Sequence, residues 1–310
     1  MTYGSDASDA RPKTTSDAER WLSVGGPVAF LLLWSAGFPL AKIGLQYASP
    51  LTFLSIRFAL SIAALIVVCA FRRPRWPRDM RSWRYLIVMG LLVQVMYFGL
   101  SYLAMTTGIA TAWLALIVSL QPILVSMLAP SLTAEPIGVR QWLGLILGLC
   151  GSAGVILSRG TLPGSSVGPV LLAIGALVGI TAAMLYEKHA GTAQDPLTSN
   201  LVQYLVGFIC CAPMALVFEH TEVHWNLSLA AALSYLVIGN SLIAITLLLA
   251  LTRAGKVSQV AALFFFVPPG AAIMSYFFLG ETLPAKAWWS MSLAVLGVAI
   301  ATWKGRVNSR

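Results

Sequence analysis

The chain has 310 residues, of which 58% are hydrophobic and 10% charged, and its mean hydropathy is +0.82. Soluble domains carry about 25% charged residues, so a water-facing surface of this size cannot be covered and lipid must be the solvent. The net charge of +9 comes from Lys and Arg set in short gaps between apolar runs, the membrane pattern rather than the clustered basic surface of a nucleic-acid binder.

A spanning helix needs about 20 mostly apolar residues. The sequence predicts ten, over 22–46, 50–71, 84–106, 109–130 and 139–158, then 167–187, 196–217, 228–250, 256–280 and 285–304. Pro, Gly and charge punctuate the gaps, which are shortest at Ala48–Pro50 and around Thr107. Residues 1–21, rich in Asp, Ser and Thr and without an apolar run, read as a solvated tail rather than a cleavable signal. Residues 305–310 read as a second tail.

With the N-terminus in the cytoplasm, sixteen of the twenty Lys and Arg fall on the cytoplasmic side, among them the run from Arg72 to Arg84. Lys42, Arg159 and Lys286 fall on the other side, and Arg57 lies within a helix. The positive-inside rule then places both termini in the cytoplasm, as an even number of spans requires.

The chain repeats itself at an offset of 146 residues. Pro50-Leu51-Thr52 recurs as Pro196-Leu197-Thr198 and Leu103-Ala104 as Leu249-Ala250, while Pro122 matches Pro268, Glu135 matches Glu281 and Trp142 matches Trp288. The repeats run over 22–160 and 161–304, five helices each. Five is odd, so the second copy enters the bilayer from the opposite side. That makes an inverted pair, the architecture on which many alternating-access transporters are built.

Trp34-Ser35-Ala36-Gly37-Phe38, Ser49-Pro50-Leu51-Thr52 followed by Arg57-Phe58, and Gly280-Glu281 after the ninth helix resemble the EamA group of the drug/metabolite transporter superfamily. The likeness covers nearly the whole chain past residue 22. It implies an all-α integral membrane fold, ten transmembrane helices arranged as two inverted five-helix repeats around a central cavity. It also implies a multi-pass protein of the bacterial inner membrane that exports small metabolites, most often amino acids, without a cofactor. The amino-acid exporters, including the aromatic type, are the subgroup it is most similar to. In that type aromatic residues precede the proline of the fourth helix. Here the stretch is Ser119-Leu120-Gln121-Pro122, which points toward a broader or smaller amino-acid range. The expected partners are a small-molecule substrate and the bilayer, and the chain reads as a monomer, with a dimer left open.

Cavity candidates are polar and aromatic residues at membrane depth. In the first half these are Trp34, Tyr97, Tyr102, Trp113, Ser119 and Gln121; in the second they are Tyr204, Asn240, Phe264 and Phe265, with Ser241 beside them. An amino acid needs donors and acceptors for its backbone groups and an apolar wall for its side chain. A lipid-facing amide is costly, which favours Gln121 and Asn240 over any single aromatic, whose ordinary role is packing. Pro39, Pro122, Pro268 and Pro269 lie inside helices, where a proline removes a backbone hydrogen bond; hinging and simple packing explain them equally. Arg57 sits roughly 10 Å along the second helix, at an insertion cost of about 2.5–3.5 kcal/mol. Substrate binding is one reading of it, and a structural role is the favoured one; its repeat equivalent is the neutral Gln203.

Ten of the eleven acids lie in tails or loops, and Glu187 ends the sixth helix, so no proton-coupling carboxylate is evident at mid-membrane. The four cysteines fall inside spans without metal spacing. Gly144, Gly148 and Gly151, like Gly175 and Gly179, allow close helix approach within or between protomers. A nucleotide-sugar or phosphorylated-metabolite carrier would need more cavity Lys or Arg. An integral-membrane enzyme would need a His, Asp, Cys or Glu cluster at one depth. Both stand as weaker alternatives, and a channel stays open.

Overall fold

The computed structural model describes residues 25–109, 111–133, 137–158, 167–190, 194–254, 257–279 and 284–302. These residues are helical nearly throughout. In chain order they form α1 (Gly26–Gly44), α2 (Pro50–Arg72), α3 (Met80–Thr106), α4 in two pieces (Thr111–Val118 and Gln121–Thr133) and α5 (Val139–Leu157). Then come α6 (Val167–Ala190), α7 (Pro196–Phe218), α8 (Leu227–Ala254), α9 (Val257–Leu279 with a tight 3₁₀ turn at Leu263–Phe266) and α10 (Ala285–Thr302).

Local chemistry fixes where these helices begin. Pro50 and Pro196 open α2 and α7, positions where the missing N–H costs nothing and φ is already helical. Asp79, Asp195 and Asn226 cap α3, α7 and α8 by accepting from Ser82, Leu197 and Leu229 backbone N–H groups. The Asp79 cap explains why α3 starts at Met80, four residues before the apolar run does. Ser82 donates both its hydroxyl and its N–H to Asp79, and these bonds hold the carboxyl below its ordinary range. The stabilisation is therefore present at neutral pH and lost as pH falls through that lowered value.

Among the described residues, eight helices are long and apolar enough to cross a membrane, while Val139–Val155 and Ala285–Ala301 are shorter apolar helices. As helices, α5 and α10 run over 19 and 18 residues, Val139–Leu157 and Ala285–Thr302, within the range that can cross a bilayer. Large apolar side chains such as Leu171, Ile209, Leu216 and Phe277 point outward, exposed, as a lipid-facing wall requires. Glu135, Glu281, Arg159 and both tails lie outside the described residues.

Two expected kinks are breaks. Helix α4 stops at Val118 and restarts at Gln121, so Pro122 sits in the first turn of a new piece. In α9 the 3₁₀ turn ends at Phe266, and Pro268 and Pro269 likewise sit in the first turn of the α-helical piece Val267–Leu279. Pro39, by contrast, is carried inside an unbroken helix, as are Pro130 and Pro213. Helices α3 and α8 each contain a wide π-helical stretch, Leu91–Gly99 and Leu236–Ala244, at positions that match across the repeat to within one residue.

The helix pairings are matched between the halves. Helix α2 packs on α7 and α5 on α10; α3 packs on α6 as α8 does on α1, and α4 packs on α6 as α9 does on α1. The glycine stripes serve these contacts within one protomer. A Cβ on Gly151 would lie 2.2 Å from the Ala294 backbone nitrogen, and one on Gly297 would lie 2.2 Å from that of Gly148. Gly179 meets Met96 and Leu92 of α3 in the same way. Gly297→Val is therefore expected to destabilise the α5–α10 pair by about 1–3 kcal/mol, read as a lower unfolding midpoint in detergent. Gly168→Ala, where a Cβ would meet nothing within 4 Å, should leave the midpoint unchanged.

Candidate substrate site

Arg57, with 0% of its surface exposed, anchors a polar layer inside the bundle. Its Nε donates to Ser241 Oγ at 2.9 Å, one terminal nitrogen to the Tyr102 hydroxyl at 3.0 Å, and the other to Asn240 Oδ1 at 2.7 Å. The guanidinium carbon lies 4.4 Å from the centre of the Phe98 ring, a cation–π contact. Tyr204 donates to the Ser241 carbonyl at 2.7 Å and packs on Phe58 with ring centres 5.7 Å apart. Phe58 and Tyr204 are themselves one repeat apart.

A small cavity of about 20 Å³ lies beside this layer, lined by Trp34, Gly37, Phe38, Tyr97, Tyr102, Asn240 and neighbours. Trp34 stacks on Tyr97 at 5.8 Å and meets Phe264 edge-on at 5.7 Å. A second cavity of about 20 Å³ is lined by Ile180, Ala183, Met184, Glu187, Gln203, Leu248 and others. Trp34, Gly37, Phe38, Ala41 and Tyr102 map by the repeat offset onto Ile180, Ala183, Met184, Glu187 and Leu248. The two cavities are thus repeat counterparts. They occupy successive stretches of α3 and α8, with the first at the end of α3 and the second at its beginning. Each has room for about one water, so both cavities are closed in this form of the protein.

Four of the predicted site residues, Trp34, Tyr97, Tyr102 and Asn240, are brought together around the first cavity. Phe264 backs Trp34, and Tyr204 floors the layer. Gln121 lies behind Met184, its amide nitrogen 3.6 Å from the sulfur and its oxygen without a partner. Ser119 bonds back to the Leu116 carbonyl at 2.7 Å. Trp113 is half-buried against the main core. Phe265 faces the other way, packing with Leu145, Val298 and Ala301 between α5 and α10.

Sequence reasoning missed Gln94. It lies in the π-helical stretch of α3 and is the repeat counterpart of Asn240, as Gln203 is of Arg57. Gln94 approaches the Tyr204 hydroxyl, yet neither its amide nor that of Gln203 makes a hydrogen bond of ordinary geometry. The offset alone would have found it.

Glu187 has a larger role than its place at a helix end suggests. It is buried, accepts from the Tyr85 hydroxyl, and pairs with Arg253 Nε at 2.5 Å rather than with Lys188 next to it in the chain. Arg253 reaches on to the Gln194 carbonyl at 3.0 Å. This cluster closes the end of the second cavity. The opposite end is closed by Glu219, whose carboxylate takes the Leu51 and Thr52 N–H groups at 2.9 and 2.8 Å. There the backbones of Ala48 and Val223 also form a bridge.

A buried polar layer lining one of two matched cavities, inside a bundle that turns apolar side chains outward, is an arrangement suited to a membrane carrier. The EamA-like transporter family matches the chain twice, over residues 26–157 and 168–303. The chain belongs to that family; it is a multi-pass membrane transporter of small metabolites and not an enzyme. It is 27% identical over 283 residues to YvbV, an uncharacterized transporter of Bacillus subtilis, covering 91% of this chain and 92% of that one. It is 22% identical to YedA, an uncharacterized inner membrane transporter of Escherichia coli, covering 90% of each. A solved crystal structure superposes with a TM-score of 0.75 at 18% identity, over 91% of this chain and 97% of that one, which shows the shared fold.

Removing one member of a buried ion pair strands the other. Glu187→Ala and Arg253→Ala are each expected to cost about 3 kcal/mol, and the double variant less than their sum, measured by denaturation in detergent. Gln94→Leu removes two unpaired buried polar atoms, each of which costs about 1–3 kcal/mol. It should raise the unfolding midpoint while slowing transport.

Proposed function

We propose that the protein exports small metabolites, most suitably amino acids, across the bacterial inner membrane by alternating access between two inverted five-helix repeats, 22–160 and 161–304. The observation that carries this reading is the pair of repeat-related cavities on successive stretches of α3 and α8, the first of them lined by the polar layer around Arg57. A carrier of this kind needs two vestibules that open in turn onto one site. An inverted repeat supplies them from one design. The matched helix pairings and the paired breaks at Pro122 and Pro268 support hinging between the halves.

Amino acids suit the chemistry of the layer. Tyr102, Asn240 and Arg57 offer donors, while Trp34, Tyr97 and Phe98 offer an apolar wall and π faces for an ammonium group. A single buried Arg is a poor match for the charge of a phosphorylated metabolite. The positive-inside count places both termini in the cytoplasm, and the inner-membrane location follows the name given to YedA. We read the unit as a monomer, because the small-residue stripes are spent on contacts within one chain.

The test is counterflow in proteoliposomes against a panel of amino acids, with and without a pH gradient. Saturable movement of at least one is expected, and movement of none would remove the amino-acid reading. Asn240→Ala should reduce the rate tenfold or more, because it loses a cavity-facing donor and leaves Arg57 short of a partner. Gln121→Ala, one shell further out behind Met184, should reduce it only a few-fold.

A further inference from the structure

Arg57 is charged, fully buried and hydrogen-bonded only to neutral groups. Among the described residues, the buried carboxylate is Glu187, and it is paired with Arg253. The layer around Arg57 therefore carries a net positive charge inside the bundle. The fold does not demand it, because the other half fills the equivalent position with Gln203.

The direction of the hydrogen bonds matters as much as the charge. Arg57 donates to the Tyr102 oxygen, so the hydroxyl proton is left to donate elsewhere. It donates to Asn240 Oδ1, so the Nδ2 hydrogens are left on the other side of the amide. Asn240 Nδ2 is the atom that a Cβ on Gly37 would meet, at 2.7 Å. Gly37, Tyr102 and Asn240 all line the first cavity. Neither donor finds an acceptor among the described residues. A buried cation thus polarises two neutral groups and turns both into donors facing the cavity, where no acidic side chain competes.

We infer that the cavity beside Trp34 takes its substrate as a singly charged carboxylate, held by Tyr102 and Asn240 with Arg57 supplying the counter-charge from behind. The inference rests on the transport reading above, since the cavity has to widen from its closed form to admit a ligand. It narrows that reading: the carboxylate is the required handle and the amino group is not. Arg57 acts as a positioning residue for the two donors and as the charge that selects for an anion. A phosphate dianion would need a second cation, which the cavity lining does not supply.

The test uses the full chain in detergent and three matched probe sets at neutral pH. These are alanine, leucine and phenylalanine; their amides; and propionate, 4-methylpentanoate and 3-phenylpropionate. Affinities are read by titration calorimetry. In at least one set the amino acid and the plain carboxylate should both bind, with the amide tenfold or more weaker. Arg57→Gln, the exchange that the other half already carries at Gln203, should weaken carboxylates ten- to a hundredfold and erase the preference over amides. Arg57→Lys should keep the preference, which a purely structural role would not predict. Should Arg57→Gln fail to fold, Tyr102→Phe removes one donor and is expected to weaken carboxylates alone. Equal binding of acid and amide, or a ratio unmoved by these variants, overturns the inference while leaving amino-acid transport standing. Binding of the plain carboxylates without the amino acids upholds it and removes amino acids instead. Binding of no carboxylate at all overturns it.

Discussion

A guanidinium cannot stay charged inside an apolar bundle unless most of its donors are engaged, and Arg57 finds its acceptors on two other helices. Tyr102 comes from α3, in the first half, and Asn240 and Ser241 from α8, in the second. The bonds therefore tie α2 to one helix of each repeat at the depth where the halves meet. Tyr204 adds α7 by taking the Ser241 carbonyl, a backbone group within a π-helical stretch. Wide turns of this kind leave backbone and side-chain groups out of the regular ladder, and they recur at functional sites. The aromatic box of Trp34, Tyr97 and Phe98 is built against this polar layer. Its shape depends on Arg57 being satisfied where it is.

The two halves share a scaffold but not its chemistry. Phe58 and Tyr204 face each other across the repeat, and Pro122 and Pro268 restart their helices at equivalent points. Arg57 and Asn240, however, correspond to Gln203 and Gln94, a cation bonded to a neutral amide in one case and two unpartnered amides in the other. The aromatic lining of the first cavity becomes Ile180, Met184 and Leu248 in the second. On the alternating-access reading, a symmetric frame would give two similar conformations, and these unlike side chains would make them differ in energy and in what they hold.

Much of this was legible in the sequence because lipid allows so few solutions. Every backbone group must be bonded within the helix, so apolar runs, prolines and caps give the helices to within a few residues. The repeat offset was legible from Pro50 to Trp142, and it carried Arg57 to Gln203. Hydropathy could not show that Gln94 and Asn240 share a layer, because π-helical stretches leave no compositional mark. Phe265 and Phe264 are adjacent in sequence, and only the 3₁₀ turn decides that one backs Trp34 while the other enters the α5–α10 seam. Glu187 looked like a helix-end residue beside Lys188. Its actual partner, Arg253, is 66 residues away in sequence and is brought close only by the packing of α8 on α6.

The closures at the two ends are also unlike. Near Tyr47 the chain after α7 straps the α1–α2 connection, with His224 N–H on the Tyr47 carbonyl at 3.0 Å, while Glu219 caps the N-terminus of α2. An anion there is favoured by the helix dipole as well as by the bonds. Near Glu187 the closure is an ion pair between α6 and α8 with a tyrosine from α3. The repeat counterparts of Glu187 and Arg253 are Ala41 and Thr107, so this ion pair has no counterpart at the equivalent positions of the first end. Opening one end unzips backbone contacts and withdraws a cap; opening the other separates charges that must each find water. These costs have different physical origins and scale differently with pH and ionic strength. On the alternating-access reading proposed above, the repeat would provide two openings, and the unmatched residues at each end would set how readily each one is used.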